Sequence, residues 1–235
     1  MKNKILVIGA GSWGTAIADI LAKKNKSVDI WTRKIKISDE INNKNTNKKY
    51  FKKIKLQKNL NSISGAFDTS QYSYIFYVLP AGQFEHFIKN YLINQKINNF
   101  TICSKGLSTN GQLISVVAKA YLKFKNLYIL SGPSFAEEVI KGLPTALSVS
   151  SNSSPLPLGK LFKGTNIRIY YSKNYKTLEV LGVIKNIYAI GAGIIDALSL
   201  GENARAAYIA RCLSLIHISE PTRRRGISYA VFCLK

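Results

Sequence analysis

The chain has 235 residues, 46% of them hydrophobic, so it can bury a core in one large domain or two small ones. Its 34 basic and 12 acidic residues give a formal net charge of +22. This charge raises nucleic-acid binding as an interpretation, but no DNA- or RNA-binding motif accompanies the lysines. We favour a compositional bias toward Lys, Asn, Ile and Tyr and expect no nucleic-acid partner. A basic protein also suits an anionic ligand.

Three scattered cysteines predict neither a disulfide framework nor a metal site, and they fit a reducing cytosol. They are Cys103, Cys212 and Cys233. The first apolar run starts within a few residues of Met1, so we expect no signal peptide and a cytoplasmic protein. The most apolar later stretch, 181–200, is interrupted by Lys185 and Asp196, which argues against a membrane span.

A glycine-rich turn is the feature around which the chain is organised. Gly9, Gly11 and Gly14 fit the pattern G-x-G-x-x-G. The pattern follows an apolar run at 5–8 and opens a helical one at 15–22, the order of strand, turn and helix in a dinucleotide site. The first glycine allows a sharp turn, the second lets a pyrophosphate approach the backbone, and the third lets the helix pack close to the strand. Free N–H groups and the helix dipole then favour phosphate; the alternative is a glycine-rich turn without a ligand.

The end of the second predicted strand, 28–33, indicates which cofactor is accepted. About twenty residues after the glycines, an NAD site usually places Asp or Glu to hold the ribose 2′-hydroxyl. This chain has Arg33 followed by Lys34. Because a guanidinium can bind a 2′-phosphate that a carboxylate would repel, the sequence predicts that NADP is accepted. The alternative is a solvated strand end, since basic residues are frequent throughout the chain.

Strands and helices alternate along the rest of the first 173 residues. The polar segment 35–60 is interpreted as a surface helix and loop. Strands are predicted at 74–79, 100–104, 127–130, 145–150 and 167–171, and helices from about 83, at 112–124 and around 137–138. This alternation predicts an α/β, Rossmann-like domain with a mostly parallel sheet covered on both faces, and ligands at the carboxyl ends of the strands. Those ends carry the glycine turn, Arg33, Pro80, Lys105 and Gly132.

From residue 174 the pattern becomes helical. Residues 178–200 are apolar and rich in small side chains, without the alternation of a strand. We therefore divide the chain into a dinucleotide-binding domain at 1–173 and the beginning of an all-helical second domain at 174–213.

Four motifs occur in order along the chain: GAGSWGTA at 9–16, SKGL at 104–107, SGPSFAEE at 131–138 and KNIYAIGAG at 185–193. With GENARAA at 201–207, they make the chain similar to bacterial NAD(P)-dependent sn-glycerol-3-phosphate dehydrogenase, from the N-terminus to about Leu213. The resemblance implies reduction of dihydroxyacetone phosphate to sn-glycerol 3-phosphate, the backbone of glycerophospholipids, with NADP or NAD as cofactor. It leaves open a homodimer for the full-length protein.

The resemblance also implies the roles of individual residues. Cofactor contacts are implied for Gly9, Gly11, Ser12, Trp13, Gly14, Arg33, Lys34, Lys105 and Ala136, with Tyr50 a weaker candidate. Substrate contacts are implied for Lys105, Gly132, Ser134 and Lys185. Lys185 matches the catalytic lysine of the family, and no metal is expected.

The chemistry of carbonyl reduction independently favours Lys185. The reaction needs a hydride from the nicotinamide and a proton for the developing alkoxide. The two histidines are poorly placed, because His86 lies on a predicted surface helix and His217 in a divergent tail. Burial in an apolar helix disfavours the charged form of a lysine, which can then release a proton near neutral pH. The alternatives are a Lys185 that reaches out to solvent and a Lys105 that is an ordinary surface lysine.

The resemblance stops after Leu213. The family continues with a helical block that carries an acidic residue and a Ser-Arg-Asn set for the substrate phosphate, and residues 214–235 do not match it. They are similar to translated sequencing-adapter sequence joined to a truncated gene; the alternative is a divergent natural tail. We therefore expect a nearly complete cofactor site with little or no turnover. Two other functions stay open: a dinucleotide-binding module without catalysis, and a related hydroxyacid or sugar-acid dehydrogenase.

Overall fold

The computed structural model describes residues 4–25 and 27–219, with side chains to 214, and within them the apolar runs pair into one eight-stranded sheet. The strands are β1 (Ile5–Ile8), β2 (Val28–Trp31), β3 (Leu60–Ile63), β4 (Tyr74–Tyr77), β5 (Lys96–Ile102), β6 (Lys123–Ser131), β7 (Thr145–Ser151) and β8 (Ile167–Tyr171). Their order is β3-β2-β1-β4-β5-β6-β7-β8. The first six strands in this order are parallel, β7 is antiparallel to β6, and β8 is parallel to β7.

Helices connect the strands and cover the sheet. They are α1 (Ser12–Lys24), α2 (Ile35–Lys44), α3 (Phe84–Phe87), α4 (Ile114–Tyr121), α5 (Ala136–Lys141), α6 (Leu156–Lys160), α7 (Tyr175–Ala197) and α8 (Glu202–Ser219). A π-helical turn, Ile88–Leu92, extends α3. The parallel strand order from β3 to β6 reverses between β1 and β4, which is where doubly wound folds bind their ligands.

Strand β1 explains why both faces of the sheet are covered. All four of its residues are fully buried. Ile5 and Val7 join the core that α1 covers, whereas Leu6 and Ile8 join the core that α3 and α4 cover. A strand that is buried on both sides needs a continuous apolar run, and this is the sequence signature from which it was predicted. The predicted α/β, Rossmann-like fold with a mostly parallel sheet is confirmed.

The sequence misses elements whose apolar pattern is weak. Strand β3 falls in the segment interpreted as helix and loop, because at the sheet edge it buries Leu60 and Ser62 but exposes Asn61. Strands β5 and β6 begin several residues before the predicted starts, because their first four residues alternate exposed polar side chains with more buried residues. Helix α6 has five residues, too few for a periodic pattern.

The described chain after residue 174 is helical, as predicted. Helices α7 and α8 pack on each other, with the rings of Tyr188 and Tyr208 6.5 Å apart and a 3.2 Å ion pair between Asp196 and Arg205. Only the first half of α7 packs against the sheet domain, through buried Leu178 among others.

Helix α7 is, within the described residues, the one helix long and apolar enough to cross a membrane by length and composition. Only 17% of its most apolar window is buried. The core helix of a soluble protein has the same length and composition, so these two properties do not distinguish it from a membrane span. The absence of a membrane span therefore stays a prediction.

The predicted divergent tail, 214–235, overlaps the last turns of α8 and otherwise lies outside the described residues, as does Cys233. The described cysteines, Cys103 and Cys212, are both buried free thiols.

Candidate functional site

The glycine turn joins β1 to α1 with a geometry that two of its glycines make possible. Gly9 has φ +118°, a conformation that side-chain-bearing residues rarely adopt. A Cβ on Gly14 would lie 1.8 Å from the carbonyl oxygen of Gly9, so the first turn of α1 packs directly on the end of β1. This is the close helix–strand packing predicted for the third glycine of the motif.

The start of α1 faces open space. No side chain caps the helix, and a Cβ on Gly11 would meet no atom within 4 Å. The first backbone N–H groups of α1 therefore keep their hydrogen-bonding capacity for a ligand. A cavity of about 430 Å³ lies here, lined by Gly11, Ser12, Trp13, Gly14, Tyr50, Val78, Leu79, Pro80, Ala81, Cys103, Ser104, Lys105 and Ser134. It joins the carboxyl ends of β1, β4 and β5, as the strand order predicts.

Lys105 connects this cavity to the next strand and to α7. Its Nζ donates a 2.7 Å hydrogen bond to the carbonyl oxygen of Gly132, after β6. Its own carbonyl oxygen accepts a hydrogen bond from Asn186 Nδ2 at 3.3 Å. A Cβ on Gly182 would lie 3.7 Å from Lys105 Cγ, an ordinary van der Waals contact, so α7 lies close to Lys105 at this position. Lys105 is thus held between two elements and is not a loosely solvated lysine.

Lys185 lies on α7 next to Asn186, but it does not line the cavity. Its side chain is half-buried. The full burial that its apolar surroundings predict is therefore not present among the described residues, because the neighbouring face of α7, including Ile187 and Ile190, is exposed.

The remaining substrate and cofactor candidates surround Lys105. Gly132 has φ +156°, and a Cβ there would lie 2.8 Å from the carbonyl oxygen of Ala146, so the chain passes tightly against β7. Ser134 lines the cavity. Ala136 begins α5, where it packs against the core on the α1 side of the sheet.

Arg33, Lys34 and Lys49 do not line the cavity, but Lys49 lies next to a residue that does. Arg33 and Lys34 follow β2 and are exposed, and the Lys34 backbone N–H donates to Thr32 Oγ1 at 3.2 Å. The Lys49 ammonium lies 5.5 Å from the ring centre of Tyr50, which lines the cavity. Contact with the Lys49 side chain, more than any other cause, holds the pKa of Lys34 below its ordinary value.

Several lining residues are not among the predicted cofactor or substrate contacts, although Pro80 lies at a predicted strand end where ligands are expected. Cys103 and Ser104 directly precede Lys105, and residues 78–81 follow β4. Burial raises the pKa of the Cys103 thiol far above its ordinary value, so this thiol stays protonated, as a small core residue would. Asn186 could have been suspected from its place beside Lys185, but its contact with Lys105 spans 81 positions of sequence. Among the side chains that the structure describes, within 4–25 and 27–214, no three of His, Cys, Asp or Glu cluster to hold a metal ion.

The strand order from β3 to β6 and a helix N-terminus opening on a cavity define a protein of the doubly wound, nucleotide-binding class. Family models described as the N-terminus and the C-terminus of NAD-dependent glycerol-3-phosphate dehydrogenase match residues 4–156 and 174–218. The chain belongs to the NAD-dependent glycerol-3-phosphate dehydrogenase family.

Relatives and a solved structure agree with this assignment. The chain is 38% identical over 213 residues to the glycerol-3-phosphate dehydrogenase [NAD(P)+] of Orientia tsutsugamushi, covering 88% of this chain and 64% of that protein. It is 36% identical over 214 residues to the one from Erythrobacter litoralis, with 90% and 64% covered. The crystal structure of glycerol-3-phosphate dehydrogenase from Coxiella burnetii superposes with a TM-score of 0.84 at 30% identity, covering 99% of this chain and 74% of that one. The chain thus spans 64% of the length of these two relatives.

Proposed function

We propose that this protein is a cytoplasmic oxidoreductase that reduces dihydroxyacetone phosphate to sn-glycerol 3-phosphate with NADPH or NADH, for glycerophospholipid synthesis. The observation that carries the proposal is the single cavity in which the start of α1 meets Lys105. One end of this cavity offers backbone N–H groups to a pyrophosphate, and the other offers an ammonium group to a phosphorylated substrate.

The residues at the start of α1 fit a dinucleotide. The open space at Gly11 would receive the pyrophosphate, since a side chain there would fill it. Ser12 and Trp13 would contact it from the first turn of the helix, and Ala136 from the start of α5. Arg33 and Lys34 would bind the 2′-phosphate of NADP, with Tyr50 beside the adenosine. When bound, the nicotinamide supplies the hydride for carbonyl reduction.

The substrate would lie between Lys105 and α7. Gly132 and Ser134 would contact it from the loop after β6, and Lys105 would contact both substrate and cofactor. Lys185 would donate the proton that the developing alkoxide requires. A half-buried lysine can reach such a position only if α7 keeps its place against Lys105, which Gly182 and Asn186 support.

A second candidate function is dinucleotide binding without catalysis. The specific observation in its favour is a difference in surroundings: the cavity at α1 joins the carboxyl ends of β1, β4 and β5, whereas the face of α7 beyond Lys185 is exposed. We keep the division into a domain at 1–173, a helical segment at 174–213 and a divergent tail at 214–235 as part of this proposal, together with a homodimer for the full-length protein.

Titration of the purified 235-residue chain with NADPH and NADH, combined with a turnover assay on dihydroxyacetone phosphate, tests both candidates. We expect NADPH binding with little or no turnover. Arg33→Asp should weaken NADPH binding more than NADH binding, by about tenfold or more, because a charge-assisted contact to the 2′-phosphate is lost. Equal losses of affinity for NADPH and NADH would show that Arg33 does not contact the 2′-phosphate. Turnover of dihydroxyacetone phosphate at an ordinary rate would exclude the second candidate, dinucleotide binding without catalysis.

A further inference from the structure

The turn that carries Lys49 is fastened to the glycine turn. Asn47 is fully buried, and its Nδ2 donates to the carbonyl oxygen of Ala10 at 3.1 Å and to Thr15 Oγ1 at 2.9 Å. The backbone N–H groups of Tyr50 and Phe51 donate to the carbonyl oxygen of Asn47. Residues 47–51 therefore have a fixed position relative to the start of α1, although they are distant from it in sequence.

This position brings Lys49 next to a residue that lines the cavity, although Lys49 itself does not line it. Its ammonium lies over the ring of Tyr50, a lining residue, and its side chain reaches that of Lys34 at the start of α2. Neither ammonium has a carboxylate in an ion pair within the described part of the chain. Two like charges that meet without a counter-charge repel each other, and a dianion placed between them would relieve the repulsion.

The neighbouring Lys48 is in a different situation. Its backbone N–H donates to Glu40 Oε1 at 2.8 Å, and the carboxylate of Glu40 is within electrostatic reach of its charge. Lys48 lines two separate hollows, which Asn43 and Lys44 also line. Neither Lys48 nor Lys49 lines the cavity at α1, but the Lys49 ammonium lies over the ring of Tyr50, which does. The two adjacent, exposed lysines thus differ in their surroundings, which makes one a matched control for the other.

We propose that Lys49 is a specificity-determining residue that, together with Lys34 and Arg33, binds the 2′-phosphate of NADP. The proposal rests on the proposed function and adds to it a residue that the motifs do not indicate. The 2′-phosphate of NADP is a dianion near neutral pH, and three cations from two separate segments can surround it. The ribose 2′-hydroxyl of NAD carries no charge, so Lys49 contributes to the choice between the two cofactors.

The test compares Lys49→Met with Lys48→Met in the full 235-residue chain. Methionine keeps most of the length and apolar stem of lysine and removes the charge. Binding of NADPH, NADH, adenosine 2′,5′-bisphosphate and 5′-AMP is measured by calorimetry at one fixed ionic strength, with the melting temperature recorded for each variant. We expect Lys49→Met to weaken NADPH and the bisphosphate about five- to twentyfold, and NADH and 5′-AMP less than about twofold. Lys48→Met should leave all four affinities within about twofold.

Three results would overturn the proposal. Unchanged NADPH affinity in Lys49→Met would mean that the ammonium does not reach the phosphate. An equal loss of affinity for all four ligands would mean that Lys49 affects binding of the adenosine that they share, by way of Tyr50, and not of the 2′-phosphate. An equal loss of affinity in Lys48→Met would mean that the overall positive charge of the protein, and not a contact made by Lys49, explains the effect. If the unaltered chain binds none of the four ligands, the proposed function itself is wrong. If it binds NADPH with an affinity that Lys49→Met does not change, only the proposal about Lys49 is wrong.

Discussion

The sheet domain and the helical segment after it differ in how completely they are packed. In the sheet domain, β1 and most of α1 are buried on every side. In α7, only Leu178, Glu179 and Gly182 are buried, and Ile190 is 66% exposed. The proposed cofactor end of the site belongs to the first region and the proposed proton donor to the second. Folding and cofactor affinity should therefore depend on the sheet domain, and turnover on how α7 is covered.

The length of the relatives fits this contrast. The chain spans 64% of the Orientia and Erythrobacter proteins. An apolar helix face that is exposed in the described residues is the kind of surface that further chain or a partner normally covers. Substitutions in the two regions should consequently affect different measurements.

The largest effect is expected at the contact between α1 and β1. Gly14→Ala would place a Cβ 1.8 Å from the carbonyl oxygen of Gly9, so the free energy of unfolding should fall by about 3 kcal/mol. The control is Gly11→Ala, whose Cβ has no neighbour within 4 Å; it should change stability by less than about 1 kcal/mol. Urea denaturation measures both, and calorimetry should show that Gly11→Ala still loses at least about tenfold in NADPH affinity. A stable Gly14→Ala variant would contradict the close packing.

Lys185 is expected to affect catalysis but not cofactor binding. In a chain extended to the length of its relatives, Lys185→Ala should lower kcat for carbonyl reduction at least about a hundredfold, the usual scale of general acid catalysis. Lys185→Arg should not restore kcat, because a guanidinium does not release its proton near neutral pH. NADPH affinity should stay within about twofold, since the glycine turn is untouched. A near-normal kcat for Lys185→Ala would leave Lys105 as the next candidate donor.

The junction between the two regions should show a smaller, pH-dependent effect. Glu179 on α7 is 4% exposed, and its Oε1 accepts the backbone N–H of Ser115 at the start of α4 at 2.9 Å. Burial raises the pKa of Glu179 above the ordinary value of 4.5. The folded chain therefore binds this proton more tightly than the unfolded chain. Stability from this group is fully present below pH 4.5 and is lost as the pH rises from there through the folded-state pKa.

Glu179→Gln keeps the acceptor and removes the charge, so its stability relative to the unaltered chain should increase as the pH rises from 4.5 through the folded-state pKa of Glu179, and stay constant above it. Glu179→Ala leaves the Ser115 N–H without its acceptor and should cost about 1 kcal/mol. Urea midpoints of the three chains from pH 4.5 to 8 measure this. Burial also raises the pKa of Asp19, but Asp19 is present in all three chains, so its contribution to the pH dependence cancels when their stabilities are compared. A parallel pH dependence of the three chains would mean that Glu179 is not desolvated.

The smallest effect is expected on the exposed face of α7. Ile190→Ala should change the free energy of unfolding by less than about 0.5 kcal/mol, because the side chain is 66% exposed. Ile17→Ala in α1, where the side chain is fully buried, should cost about 3 kcal/mol. Sedimentation should first show that both variants are monomeric. If Ile190→Ala then lowered the free energy of unfolding as much as Ile17→Ala does, the contrast between the two regions would be wrong.

The sequence alone determined the features that depend on local patterns. The run at 5–8 and the three glycines predict strand, turn and helix because each requirement acts over a few residues. The position of Arg33 follows from the length of one strand–helix–strand unit. Lys105 and Gly132 are placed together at one sheet edge because parallel strands end on the same side. The helical character of the chain after 174 follows from its lack of alternation.

Only the tertiary structure decided the features that join distant segments. Asn47 reaches the glycine turn, and Asn186 reaches Lys105, through side-chain hydrogen bonds that leave no periodic pattern in the sequence. Strand β3 is recognisable only from its pairing with β2, because backbone hydrogen bonds stabilise a strand whatever its side chains are. The partial burial of Lys185 was likewise undetermined, since an apolar helix has the same sequence whether its outer face is covered or exposed.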